Sequence, residues 1–126
     1  MSGKPELLAP AGDWEALVAA VENGADAVYL GGKLFNARHS AGNFENLELS
    51  RAVHFAHVRG VRVYVTVNTL LEHSEVKEAV RFLHFLYQCG ADAAIIQDLG
   101  LLRLARKAVP ELPLHASTQM TVHNLP

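Results

Sequence analysis

Two hydrophobic rhythms alternate along this chain, and three of the changeovers from helix to strand fall at a glycine. Trp14, Leu17, Val18 and Val21 stand at i, i+3, i+4 and i+7, the spacing of one apolar stripe on a helix. Gly24 follows, and glycine stops helices because it adopts the left-handed conformation cheaply. Residues 27–30 are then apolar without a break, as expected of a parallel strand covered on both faces. The pattern returns twice. Leu49, Ala52, Val53 and Ala56 make a stripe before Gly60, and Val76, Ala79, Val80, Leu83, Leu86 and Tyr87 make one before Gly90.

These rhythms predict nine elements. A short strand over 6–9 is closed by Pro10-Ala11-Gly12, and Asp13 is placed to cap the first helix with Glu15 in its opening turn. A second helix runs over 46–59. The next strand alternates, with Val61, Val63, Val65 and Val67 on one face and Arg62, Tyr64, Thr66 and Asn68 on the other. Ser74 is expected to cap a third helix, which leads to a strand over 93–96. A fourth helix carries Leu101, Leu104, Ala105 and Ala108, stops before Pro110, and hands over to a strand over 114–116.

Five strands alternating with four helices imply an α/β fold with a parallel sheet and right-handed crossovers. A complete (β/α) barrel has eight strands in about 250 residues. The chain is therefore expected to be a partial TIM-like barrel, residues 1–126 forming its N-terminal half within a longer protein. In such a barrel the valines meet the helices and the polar set fills the lumen. Gly24-Ala25-Asp26-Ala27 and Gly90-Ala91-Asp92-Ala93 echo each other at the starts of two strands. Their repeated position makes Asp26 and Asp92 structural residues at the bottom of the barrel.

Composition narrows the setting more than the function. Half of the 126 residues are hydrophobic, 19% are charged, and the net charge is −2. That balance lacks the basic stripe of a protein built to neutralise a phosphate backbone, which leaves RNA open as a partner without supporting it. The single cysteine, Cys89, cannot form an internal disulfide. The first residues lack a secretory signal's apolar segment, and no stretch reaches the roughly 20 apolar residues of a membrane helix. A cytoplasmic protein with no membrane partner is expected.

Six blocks, in order, resemble one family. They are Lys4-Pro5-Glu6-Leu7-Leu8-Ala9-Pro10-Ala11-Gly12, Gly24-Ala25-Asp26-Ala27-Val28-Tyr29-Leu30-Gly31-Gly32, Phe35-Asn36-Ala37-Arg38-His39, Val65-Thr66-Val67-Asn68-Thr69, Ile96-Gln97-Asp98-Leu99-Gly100 and His115-Ala116-Ser117-Thr118-Gln119-Met120. Together they look like the N-terminal half of the collagenase-like peptidase family, peptidase family U thirty-two. The resemblance implies a TIM-like barrel module and a peptidase that hydrolyses peptide bonds by an unassigned mechanism. It also implies an alternative, because other members act in oxygen-independent hydroxylation of ribosomal or transfer RNA bases, drawing on prephenate, or of ubiquinone precursors. The Ala37-Arg38-His39 and His115 to Gln119 versions are closest to the ribosomal RNA branch and its long multidomain relatives. In hydroxylating members cysteines hold an iron–sulfur cluster. That block lies beyond this stretch, and Cys89 alone cannot supply about four ligands. An iron–sulfur cluster is thus expected only with downstream cysteines, a divalent metal is the other candidate cofactor, and this piece alone is expected to be inactive. A third reading is a non-catalytic half-barrel that pairs with another copy through its exposed edge strands.

Barrel chemistry gathers at the C-terminal ends of the strands. The residues expected there are Asn36, Arg38 and His39 in a long connection over 33–45, then Asn68, Gln97, Asp98, His115, Ser117, Thr118 and Gln119. Asp98 and His115 are the catalytic candidates, as general base, metal ligand or orienting group, although Asp98 equally suits a helix cap. Asn36, Arg38, His39, Asn68, Gln97, Ser117 and Gln119 are the substrate-binding candidates. Arg38 has the planar fork that grips a carboxylate or phosphate, and equally suits a loop-stabilising salt bridge; a small carboxylate is an expected substrate, and the resemblance implies a peptide. Glu6 is expected to enter the lumen from below. Gly31-Gly32-Lys33 lacks the spacing of a phosphate loop, and tight packing at a strand end is its expected role. His54 and His57 are separated by one helical turn without a third ligand. Neither a Gly-x-Ser-x-Gly elbow nor an HExxH pattern occurs.

Overall fold

Gly24, Gly60 and Gly90 take φ angles of 91°, 79° and 94°, and each turns a helix into the next strand. The structure, a computed structural model, describes residues 6–31, 42–67 and 73–116. In chain order the elements are β1 (Leu8–Pro10), α1 (Trp14–Glu22), β2 (Ala27–Gly31), α2 (Gly42–Val58), β3 (Arg62–Val67), α3 (His73–Cys89), β4 (Ala93–Ile96), α4 (Leu99–Ala108) and β5 (Leu114–Ala116). The strands lie in sequence order and every neighbouring pair is parallel. This is the arrangement of a partial (β/α) barrel.

The two faces of the sheet differ sharply. Val28, Leu30, Val63, Val65, Val67, Ala94 and Ile96 turn toward the helices and pack with Leu17, Val53, Leu83 and Leu101 in one core. The opposite face carries a small cluster, Ala27, Tyr64 and Ala93 with Tyr29 and Ile95, that contains no helix residue. Parallel sheets normally bury both faces, so this second face is the side a complete barrel would enclose. The alternation of β3 is as expected from its valines.

Several local expectations are revised. α2 begins at Gly42, four positions before the expected Asn46, and α3 begins at His73, which places Ser74 inside the helix instead of at its cap. β1 is Leu8–Pro10 and β2 extends through Gly31. Trp14 is 38% exposed and packs at a tilt on Phe55, with ring centroids 5.3 Å apart, leaving Leu17 as the fully buried residue of α1. On α3, Tyr87 is 48% exposed and Phe82 takes its place in the core beside Ala79, Leu83 and Leu86. An amphipathic phenol tolerates water at such a position.

The echoed aspartates act as strand clasps. The Asp26 N–H donates to Leu7 O at 2.9 Å while the Leu7 N–H donates to Asp26 Oδ2 at 2.8 Å. Asp92 repeats both bonds with Val63, at 2.8 and 2.7 Å. Each carboxylate thus satisfies a backbone donor at the N-terminal end of the neighbouring strand, where the ladder has not yet begun.

Candidate functional site

The open face of the sheet is organised in rows set by register. Tyr29 is partnered with Tyr64, and Tyr64 with Ala93. The next row toward the C-terminal ends is Gly31, Thr66, Ile95 and His115. Because successive side chains on a strand alternate faces, all of these turn to the side away from the helices.

An ordered polar cluster supports the row from below. The Tyr64 hydroxyl donates to Glu6 Oε2 at 3.1 Å, and Arg62 forms an ion pair with the same carboxylate. Glu6 therefore reaches the open face from the N-terminal end, as expected. Burial, followed by the hydrogen bond to Glu6, pushes the Tyr64 phenol up from its ordinary value. His115 projects from β5 with its ring edge-on to Tyr64, centroids 5.2 Å apart at 71°. The imidazole is exposed while the phenol is buried, so a group arriving from solvent meets His115 first.

Asp98 serves as the N-cap of α4, with Oδ1 accepting the Leu101 N–H at 2.9 Å. Gln97 lies between β4 and α4, one position before the cap. The structure thus brings Gln97, Asp98 and His115 to the C-terminal ends of β4 and β5. Asn36, Arg38, His39, Asn68, Ser117, Thr118 and Gln119 lie outside the described residues.

The histidines of α2 do not form a metal pair. His57 Nε2 lies 2.7 Å from Asp92 Oδ2 at the opposite end of the sheet, and His54 is exposed. Among the described residues no three His, Cys, Asp or Glu side chains are grouped to hold a metal ion. Cys89 is half-buried, its thiol donates to Leu86 O at 3.6 Å, and burial raises its pKa. A lone, protonated thiol in the helix layer does not fit an iron–sulfur cluster, which takes about four thiolates.

A cavity of about 230 Å³ opens between α1 and α2, lined by Trp14, Leu17, Leu30 and Leu49 with Asp13 and Glu48 among its polar residues. It belongs to the helix side of the sheet. The Tyr64, Glu6 and Arg62 cluster was not singled out as a unit by sequence reasoning. Its only signal there is the polar phase of β3, since Glu6, just before β1, is 58 residues away from Tyr64.

Comparison with known proteins settles the family. The model described as Peptidase family U32 matches residues 12–126. The chain belongs to that family. It is 44% identical over 98% of its length to the 23S rRNA 5-hydroxycytidine C2501 synthase of Escherichia coli, covering 18% of that protein. It is 36% identical over 96% of its length to tRNA hydroxylation protein P1 of Bacillus subtilis, covering 29% of it. An uncharacterized protease of Methanocaldococcus jannaschii is 40% identical over 94% of this chain, again with 29% of the relative covered. The chain spans less than a third of each of these relatives.

Proposed function

We propose that this U32-family stretch is the N-terminal part of the barrel of an RNA-base hydroxylation protein acting in the cytoplasm. The observation that carries the reading is the 44% identity, across 98% of this chain, to a protein named for making 5-hydroxycytidine in ribosomal RNA. The geometry supports it: an exposed imidazole and two tyrosine rings lie on a sheet face that the helices leave open. A base inside a folded RNA must leave its stack before its ring carbon can react, and an open face with aromatic side chains suits such a base. His115 is the proposed proton-handling residue, with Asp98, the cap of α4, as the second catalytic candidate. The loop residues Asn36, Arg38 and His39, together with Asn68, Gln97, Ser117 and Gln119, are proposed as contacts to the RNA or to a small carboxylate co-substrate. The chemistry itself is proposed to need the rest of the longer chain.

The test is genetic and chemical. Deleting the gene should abolish one hydroxylated pyrimidine in total RNA, read by mass spectrometry of nucleosides, and the full-length gene should restore it. Unchanged levels of every hydroxylated base would end this reading.

Peptide-bond hydrolysis is the second reading, favoured by the family's description and by the archaeal relative's name. Full-length protein that cleaves casein or gelatin, with loss of cleavage on His115→Ala, would support it. Among the described residues the outer edges of β1 and β5 have no partner strand, which also suits pairing with another copy. A folded monomer in sedimentation analysis of this chain would exclude obligatory pairing.

A further inference from the structure

The charges of the helix layer are sorted by helix. α1 carries Glu15 and Glu22 and no cation, and both carboxylates are exposed. α4 carries Arg103, Arg106 and Lys107 and no acid, and all three are exposed. The two helices between them mix both signs, with Glu48 and Arg51 on α2 and Lys77, Glu78 and Arg81 on α3. Charges that serve solubility alone are interspersed in this second way. Because the strands lie in sequence order, α1 and α4 stand at opposite ends of the layer, and its charge runs from negative to positive.

Nothing on the described surface neutralises the row on α4. Arg103, Arg106 and Lys107 stand at i, i+3 and i+4, side by side on the face turned away from the buried Leu101, Leu102 and Ala105. Like charges at that spacing repel one another. Among the described residues none of the three is in an ion pair. Asp98 is engaged as the cap at the far end of the helix, and Glu111 lies beyond its last turn. The helix dipole accounts for Arg106 and Lys107, which occupy the last turn, but its effect fades within that turn and does not reach Arg103. The whole chain has a net charge of −2, so the row runs against the overall sign and is hidden in the composition.

The row also lies close to the proposed site. α4 starts directly after Gln97 and Asp98 at the end of β4 and leads into β5, which carries His115. At 1.5 Å per residue, Arg103 is about 7.5 Å further along the helix axis than Asp98. A strand held at the C-terminal ends of β4 and β5 therefore meets the first cation within little more than one turn. Arginine grips a phosphate with a planar fork and lysine with a point charge, and such contacts fix the orientation of a nucleic acid without reading its sequence.

We propose that the exposed face of α4, through Arg103, Arg106 and Lys107, holds the phosphates of the RNA strand that flanks the reacting base, and that the acidic face of α1 keeps this strand on the α4 side. This rests on the RNA-modification reading and adds the surface that orients the substrate.

Full-length protein and a labelled oligouridine provide the test, with affinity measured between about 50 and 200 mM salt. Each phosphate contact on a single strand contributes about 0.7 to the slope of log affinity against log salt. Arg103→Gln, Arg106→Gln and Lys107→Gln combined should lower that slope by about 2, so that wild type loses about twentyfold more affinity than the variant across the range. Lys107→Gln alone should lower it by about 0.7. Glutamine is a good helix former, and the thermal midpoints of both variants should stay near that of wild type. Lys77→Gln and Arg81→Gln on α3 should leave the slope as it is. A wild-type slope in the combined α4 variant, or an equal drop in the α3 variant, would overturn the inference and leave the RNA reading standing. Loss of poly-glutamate binding in the α4 variant, with oligouridine binding unchanged, would assign the face to an acidic protein instead. Wild type without affinity for oligouridine would overturn the inference, whereas the RNA reading falls only if deletion of the gene leaves every hydroxylated base at its normal level.

Discussion

Asp92 and Val63 are joined by two hydrogen bonds, one from the Asp92 N–H to Val63 O at 2.8 Å and one from the Val63 N–H to Asp92 Oδ2 at 2.7 Å. The same oxygen lies 2.7 Å from His57 Nε2, so one carboxylate ties β4, β3 and α2 together. Asp92→Ala should cost about 1–3 kcal/mol, the range for a partly buried backbone donor left without its acceptor. Asp26→Ala should cost less, because its partner Leu7 is 54% exposed and water replaces the lost bond. Urea unfolding of the two variants checks the order, and equal losses would contradict it.

The glycines divide into two kinds. Gly24 and Gly60 have positive φ with nothing among the described residues within 4 Å of a notional Cβ, so alanine there should cost backbone strain, about 1–2 kcal/mol each. Gly90→Ala should cost a similar amount, since Val53 Cγ1 and His57 Cε1 stand at the ordinary contact distances of 3.7 and 3.8 Å. Gly31→Ala should be neutral or stabilising by up to about 1 kcal/mol, because it restricts only the unfolded chain. Denaturation midpoints of the four variants should therefore fall into three low values and one that is not.

Tyr64 makes stability fall at alkaline pH. Its phenol is raised above the ordinary value of 10.0 by burial and then by Glu6. A group whose folded pKa is raised keeps its proton longer when folded, so its contribution is complete below pH 10 and is lost as pH rises through the folded value. Tyr64→Phe should flatten this part of the profile. Unfolding midpoints measured from pH 8 to pH 11 should run parallel for the two proteins if Tyr64 is not the group responsible, and converge if it is.

Asp98 has a measurable structural duty that must be separated from any chemical one. Asp98→Ala should remove the cap of α4 and cost about 1 kcal/mol, whereas Asp98→Ser should retain most of it. A serine variant as unstable as the alanine variant would show that the carboxylate's role at this helix end is not capping.

Much of the fold is legible because its signals are local. β4 and β5 fall on the expected 93–96 and 114–116, each bounded by a turn residue and an apolar run. The strand-starting aspartates were recognisable as structural from their repetition, but their clasps were not, because the partner residue is set by register between strands. The start of α2 was hidden by Gly42 and Asn43, residues of low helix propensity that the fold overrides. The open face was legible only as the polar phase of β3. Its cluster joins Glu6, Arg62, Tyr64 and His115 from three strands or strand ends, and no spacing along the chain encodes that meeting.

The working face can be located chemically. Full-length protein irradiated with RNA containing 5-iodocytidine should yield adducts on peptides that carry Tyr29, Tyr64 or His115, identified by mass spectrometry after digestion. Adducts confined to peptides of the helix layer, such as those bearing Trp14 or Tyr87, would contradict the assignment of the open sheet face as the site where RNA is held.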